Sequence, residues 1–151
     1  MAGPQFDEEP IGLEVTRTAK VLSRAFDDAL VAAGGSLPTW LVLVSLMGRS
    51  HGRQRDLAEA VGVEGPTLTH HLNKMESSGL VTRERDPDNR RVQQVALTAE
   101  GKALFHALVA EVASFDRELR AGLSDRELAT LRKLLLRLRD NAANAEIGGT
   151  K

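Results

Sequence analysis

Two glycines constrain how the middle of this chain can fold. Gly62 separates a segment with Leu57, Ala58 and Val61 on one face from a second segment with Leu68, Leu72 and Met75 on one face, and Gly79 closes the second. Apolar residues at three- and four-residue steps have the period of an amphipathic helix, and a glycine between two such segments supplies the backbone freedom that a tight turn requires. The small Ala58 lets the two helices approach closely. Pro66 stands in the first turn of the second helix, where a missing N–H removes no helical hydrogen bond. Helix, glycine turn and helix in this order make a helix-turn-helix pattern.

After Gly79 the period changes from helical to alternating. Residues 80–85 and 92–97 read as short strands, and the Asp-Pro-Asp-Asn sequence at 86–89 between them is turn chemistry, because Asp and Asn bond their own backbone and Pro fixes φ. A hairpin with a long charged tip directly after a helix-turn-helix makes a winged helix. Upstream, Val15, Ala19, Leu22, Phe26, Ala29, Leu30 and Ala33 predict a helix over about residues 11–33, stopped by Gly34-Gly35. Pro38 opens a short apolar helix over 40–47, ended by Gly48, and a polar stretch at 49–53 leads into the helix-turn-helix. Downstream, Thr98 caps a fifth helix with Leu104, Leu108, Val112, Phe115 and Leu119 in a stripe. Ser124 with Glu127 forms a capping box for a sixth, which carries Leu128, Leu131, Leu134, Leu135 and Leu138 and fades into a polar tail from Asn141.

The expected fold class is therefore mainly α with a small β-wing, a winged helix-turn-helix flanked by N- and C-terminal dimerisation helices. Its expected organisation is a flexible tail over 1–10, a domain over 11–143 and a flexible tail over 144–151. Within the domain, 38–97 hold the DNA-binding part and 11–33 with 99–143 the dimerisation helices. The first helix is longer than a small core needs, and the leucine stripe at Leu128, Leu131, Leu135 and Leu138 offers more apolar surface than one chain uses, so a second copy is the expected partner.

Composition excludes several function classes. The chain has 151 residues, 42% apolar and 27% charged, as a soluble globular protein does, and it contains no cysteine and no tyrosine. Disulfides, thiolate metal sites and Cys nucleophiles are thereby excluded. No Gly-rich phosphate loop, nucleophile elbow or HExxH motif is present, so the chain is not expected to be an enzyme or to carry a cofactor. His51 and His106 lie far apart in sequence, and no metal site is expected. No apolar run approaches a membrane span, and residues 1–10 lack the features of a secretory signal, so no membrane partner is expected and the expected location is cytoplasmic. A net charge of −1, from 20 basic and 21 acidic residues, argues neither for nor against nucleic acid.

Residues 56–101, DLAEAVGVEGPTLTHHLNKMESSGLVTRERDPDNRRVQQVALTAEG, resemble the MarR family of bacterial winged-helix transcriptional regulators. The phrase ESSGLVTRERDPDNRR running into the wing and the LTAEG that opens the next helix carry the resemblance together with the helix-turn-helix. It implies a homodimeric regulator, expected to be a repressor, on a pseudo-palindromic operator of double-stranded DNA.

Candidate DNA-binding residues follow. On the second helix of the motif Thr67, Thr69, His70, Asn73 and Lys74 lie opposite Leu68, Leu72 and Met75, and their hydroxyl, amide and imidazole groups suit base edges and phosphates in a major groove wide enough for a helix. Many family members carry Arg where this chain has His70. His71 reads as a half-buried packing residue. Arg53, beside Gln54 and Arg55 at the start of the first helix of the motif, stands near the expected phosphate path. The resemblance matches Arg90 to the arginine that enters the minor groove and Arg91 to a neighbour that supports the wing or touches phosphate, with Asp86 and Asp88 left to orient them. It also implies a small amphipathic or aromatic effector between the dimerisation helices and the winged helix, for which Phe26, Trp40, Val44 and Met47 are the candidate lining and Arg17 the candidate anion partner. The alternative from another class is a winged helix used for protein contacts without specific DNA binding. Salt separates the two, because DNA binding releases bound counterions and therefore weakens steeply as salt rises.

Overall fold

The structure, a computed structural model, describes residues 8–49 and 52–148. The chain forms two compact units, one ending at Phe115 and the other starting at Asp116. In the first, α1 (Ile11–Ala32) and α2 (Leu37–Leu46) precede β1 (Gly52–Arg53), α3 (Gln54–Val61), α4 (Gly65–Ser77), β2 (Val81–Arg85) and β3 (Gln93–Leu97). α5 (Ala99–Leu119) runs from the first unit into the second, where α6 (Asp125–Gly148) follows. The fold is mostly helical, with a winged helix at its centre.

Several helix boundaries have a local cause. α2 begins with Pro38 in its first turn, the Ser36 hydroxyl accepts from the Thr39 N–H at 3.3 Å, and the Leu37 N–H donates to the Asp27 carboxylate of α1 at 2.7 Å. Gly62 takes the left-handed conformation, φ 73°, and its N–H bonds the Ala58 carbonyl, so α3 ends and α4 begins within a few residues. The Ser124–Glu127 box is formed: the Glu127 carboxylate accepts from the Ser124 N–H at 2.8 Å, and the Ser124 hydroxyl from the Glu127 N–H at 3.2 Å.

One core unites the first unit. Leu30 of α1, Val42, Leu43 and Leu46 of α2, Leu57 of α3, Leu68, Leu72 and Met75 of α4, Val81 and Val95 of the sheet and Leu108 of α5 are all buried. Each fully buried leucine contributes about 1.5–3 kcal/mol relative to exposure, so α4 cannot rotate about its axis without exposing three such side chains. The inward set expected for this helix is the observed one.

The sheet is antiparallel throughout, in the order β1-β3-β2. β2 and β3 pair from Val81 opposite Leu97 to Arg85 opposite Gln93. β1 was not expected from the sequence: residues 52–53 belonged to the polar lead-in, yet Gly52 pairs with Val95 and Arg53 with Gln94. Gly101, in the first turn of α5, lies against the Leu80 carbonyl, and the Thr98 hydroxyl accepts from the Gly101 N–H at 3.0 Å and donates to the Gly79 carbonyl. The foot of the wing is thereby tied to the end of α4 and the start of α5.

At the C-terminus the structure corrects the expected boundary. The leucine stripe ends at Leu138, but α6 continues through Gly148, so residues 144–148 are helical rather than a flexible tail. Residues 141–145 are exposed and lack a leucine stripe, and their three alanines, the best helix formers, favour continuation of the helix. Of the expected N-terminal tail, residues 8–10 precede α1 without regular structure and residues 1–7 lie outside the described residues, as do His51 and residues 149–151. Among the described residues no single helix is long and apolar enough to cross a membrane.

Candidate nucleic acid interface

α4 presents two different faces. Leu68, Leu72 and Met75 hold it against the core, while Thr67, His70, Asn73 and Lys74 are exposed and Thr69 and His71 are half-buried. The exposed residues recur at helical steps, so hydroxyl, imidazole, amide and ammonium groups follow one another along one side of the helix.

Two of these side chains are already engaged. The Thr69 hydroxyl donates to the Gly65 carbonyl at 3.0 Å and accepts from the Gln54 amide at 2.8 Å. Its single proton is therefore committed, and one acceptor site remains. Gln54 opens α3, so this contact stitches the first turn of α3 to α4. The Asn73 Oδ1 accepts from Arg83 Nη2 at 2.6 Å, and Arg83 also donates through Nε to the Glu76 carboxylate at 2.7 Å. Arg83 thus bridges β2 and α4 with its side chain only 17% exposed. The sequence places Arg83 on a short strand and offers no signal for this role, which needs that strand folded back beside the helix.

The wing tip is organised by one carboxylate. Asp86 Oδ1 accepts from the N–H groups of Asp88 at 2.8 Å and Asn89 at 3.3 Å, and Oδ2 from the Gln94 amide at 2.8 Å. These contacts hold its carboxyl below the usual value of 3.8: the Asp88 N–H does most, partial burial opposes it, and Gln94, the Asn89 N–H and the nearby Arg53 charge add to it. Asn89 Oδ1 accepts from the Arg91 N–H at 3.2 Å. The expected orientation of the wing arginines by Asp86 and Asp88 is not what forms. Asp86 binds backbone because the turn brings those N–H groups to it, and neither acid pairs with Arg90 or Arg91 among the described residues. Both arginines are exposed.

Arg53 is exposed on β1 at the N-cap of α3, without a capping hydrogen bond of its own. Between α3, α4 and the wing runs an open groove of about 1030 Å³ lined by Arg53, Gln54, Arg55, Thr69, Arg83 and Arg91 among others. The fold therefore brings Arg53, Thr69 and Arg91 to one groove, which the net charge of the chain does not disclose.

The expected effector set is not gathered in this way. Trp40 stacks on Phe105 with ring centroids 5.5 Å apart and Phe26 packs on Phe115 at 5.3 Å, so both rings are engaged within the first unit. Val44 is exposed, Met47 half-buried, and Arg17 pairs with Glu9. A second groove, of about 940 Å³, lies between α1 and α2, lined by Lys20, Arg24, Asp27 and Leu37 but by none of the five expected residues. Both side chains are half-buried and pack against the core of the first unit. In the second unit Leu128 is buried while Leu131, Leu135 and Leu138 are 47%, 44% and 36% exposed.

Comparison with known proteins supplies a family. The MarR family model matches residues 36–92. An uncharacterised HTH-type transcriptional regulator of Bacillus subtilis, YdgJ, is 34% identical over 93 residues, which are 62% of this chain and 57% of that protein, so the match spans little more than half of that relative. A MarR-family transcriptional regulator from Rhodococcus sp. RHA1 superposes with a TM-score of 0.74 at 28% identity, covering 85% of this chain and 91% of that one. A mutant of E. coli MarR complexed with operator DNA superposes with a TM-score of 0.77 at 25% identity, covering 85% and 93%. Residues 36–92, which hold α2, the helix-turn-helix, and the first strand and tip of the wing, match the MarR family, and the fold is similar to that of solved MarR-family regulators.

Proposed function

We propose that this chain is a sequence-specific DNA-binding transcriptional regulator of the cytoplasm, a repressor rather than an enzyme, that acts as a homodimer on a pseudo-palindromic operator. The observation that carries this reading is the pairing of an anchored helix face with an unneutralised wing. α4 is locked by three buried side chains while Thr67, His70, Asn73 and Lys74 point outward, and Arg90 and Arg91 stand exposed without carboxylate partners among the described residues. A helix suits the major groove, and an arginine beside it suits the negative potential of a narrow minor groove. Arg53, Thr69 and Arg91, which share one groove, add phosphate-facing and positioning contacts. The operator-bound solved relative supports this use of the fold.

Dimerisation through Leu131, Leu135 and Leu138 of α6 and the exposed Ile11, Val21 and Leu22 of α1 would cover apolar surface that one chain leaves to water. Two copies related by a two-fold axis then address half-sites about 10 bp apart, or a multiple of that. A small amphipathic or aromatic ligand would release the dimer from DNA; Arg17 and Val44 of the expected set are exposed, and Phe26, Trp40 and Met47 are half-buried.

The test is selection of bound fragments from genomic DNA, followed by affinity measurements on the selected site for wild type and Arg90→Ala at several salt concentrations. A two-fold symmetric site is expected, with affinity falling steeply with salt and a salt slope about one unit shallower for Arg90→Ala. Absence of enrichment, or binding indifferent to salt and to Arg90, would refute the assignment.

A further inference from the structure

Asn73 is the one outward amide on α4, and the structure shows which of its ends is available. Its Oδ1 accepts from Arg83 Nη2 at 2.6 Å. A guanidinium has only donors, so the end facing Arg83 must be the oxygen. Arg83 is itself held by Glu76, its Nε 2.7 Å and its Nη2 2.6 Å from the same carboxylate oxygen. The side chain of Arg83 is 17% exposed and therefore largely sheltered from competing water.

An unrestrained asparagine recognises adenine with both ends of the amide, the nitrogen donating to N7 and the oxygen accepting from N6. That geometry needs both ends turned toward the base. Here the oxygen is turned toward β2 and the Nδ2 amino group is left to face outward as a donor. Guanine offers two acceptors on its major-groove edge, O6 and N7, and no donor, whereas cytosine offers a donor and adenine one of each.

We propose that Arg83 is a positioning residue that sets the polarity of base reading by Asn73, leaving Asn73 a donor that selects guanine rather than adenine. This rests on the DNA-binding reading above and names the base class which that site takes. Arg83 itself touches no base: it acts from the strand, through the amide oxygen.

The experiment is binding selection on a library randomised across the half-site, using the full-length protein. Asn73→Ala identifies the base position that Asn73 reads, as the one position whose preference flattens. Wild type is expected to prefer guanine there. In Arg83→Met the oxygen is released and the preference is expected to move toward adenine by about tenfold, the lower range of a bidentate contact. Glu76→Gln, which removes the ion pair but keeps the Arg83–Asn73 bond, should leave the preference unchanged. Asn73→Asp keeps a partner for Arg83 but offers only acceptors, and should move the preference to cytosine.

A purely structural Arg83 would lower affinity for every sequence without changing the preferred base. Adenine preferred by wild type, or the same base preferred by wild type and Arg83→Met, overturns the proposal while leaving the regulator reading intact. Should Arg83→Met fail to fold, the wild-type base at the Asn73 position decides: guanine supports the proposal and adenine overturns it. If wild type selects no sequence at all, the DNA-binding reading and this inference fall together.

Discussion

Replacing Gly101 by alanine sets two opposing effects against each other. Gly101 is buried within α5, where alanine is the better helix former by about 0.5–1 kcal/mol. Against this, a Cβ built on Gly101 falls far inside the 3.0 Å that real Cβ atoms keep from the Leu80 carbonyl oxygen, with the carbonyl carbon at 3.1 Å and Leu97 Cδ2 at 3.3 Å. The obstacle is backbone, and it cannot swing away as a side chain does. Leu80 would have to retreat by about an ångström, and overpacking of this kind costs about 1–3 kcal/mol. Its carbonyl also accepts from the Thr98 N–H at 3.1 Å, and the Gly101 N–H donates to the Thr98 hydroxyl at 3.0 Å, so the retreat strains bonds worth about 1 kcal/mol each.

The clash should win, with a net loss of about 3 kcal/mol. At about 2–4 °C per kcal/mol for a chain of this size, Tm should fall by about 6–12 °C. Thermal denaturation followed by circular dichroism measures this, with Gly12→Ala in α1 as the control, because nothing lies within 4 Å of its added Cβ. That control should hold or gain up to about 1 kcal/mol. A Gly101→Ala protein melting at or above wild type would refute the close approach of α5 to the foot of the wing.

Lowering the pH should loosen the wing. The folded-state pKa of Asp86 is depressed below 3.8, so its contribution is complete above that value and is lost as pH falls below it; the Asp88 and Asn89 amide resonances should shift in that window, and Asp86→Asn should abolish the transition. Ser124→Ala removes a formed capping box and should cost about 1 kcal/mol in thermal or denaturant unfolding, whereas an unchanged midpoint would mean that the start of α6 frays in solution. Wild type is expected to sediment as a dimer and Leu135→Glu as a monomer, and a variant that sediments like a dimeric wild type would remove α6 from the proposed interface. His70→Ala should alter which operator sequence is preferred, and identical affinity and preference would exclude this exposed face of α4 from base reading.

The repeating units of this fold were legible where one face of an element had to be buried. Leu68, Leu72 and Met75 announce the inward side of α4, and Ser124 with Glu127 announces the start of α6, because period and capping are local properties. β1 carries no such mark. Two residues, Gly52 and Arg53, cannot show alternation, and their pairing is dictated by Val95 and Gln94, more than forty residues away in sequence. The same limit applies at the site. The sequence exposes Thr69 and Asn73 on one side of a helix, but their hydrogen-bonding capacity depends on Gln54 and Arg83, which only folding brings alongside. The ring partners of Phe26 and Trp40, Phe115 and Phe105, lie on a helix distant in sequence, so these pairings carry no local signal. The last residues of α6 escaped because a polar helix and a polar tail share a composition.

The bond from the Leu37 N–H to the Asp27 carboxylate, at 2.7 Å, has a kinetic consequence. Amides in the first turn of a helix ordinarily have no partner within it and exchange with solvent quickly. In α2 every one of them is accounted for: Leu37 donates to Asp27, Pro38 has no N–H, Thr39 donates to the Ser36 hydroxyl and Trp40 to the Ser36 carbonyl. The start of α2 should therefore exchange as slowly as its middle, and it can open only when α1 lets go. Deuterium uptake at Leu37 becomes a gauge of how often those two helices part, readable in the free protein and again with any ligand or DNA added.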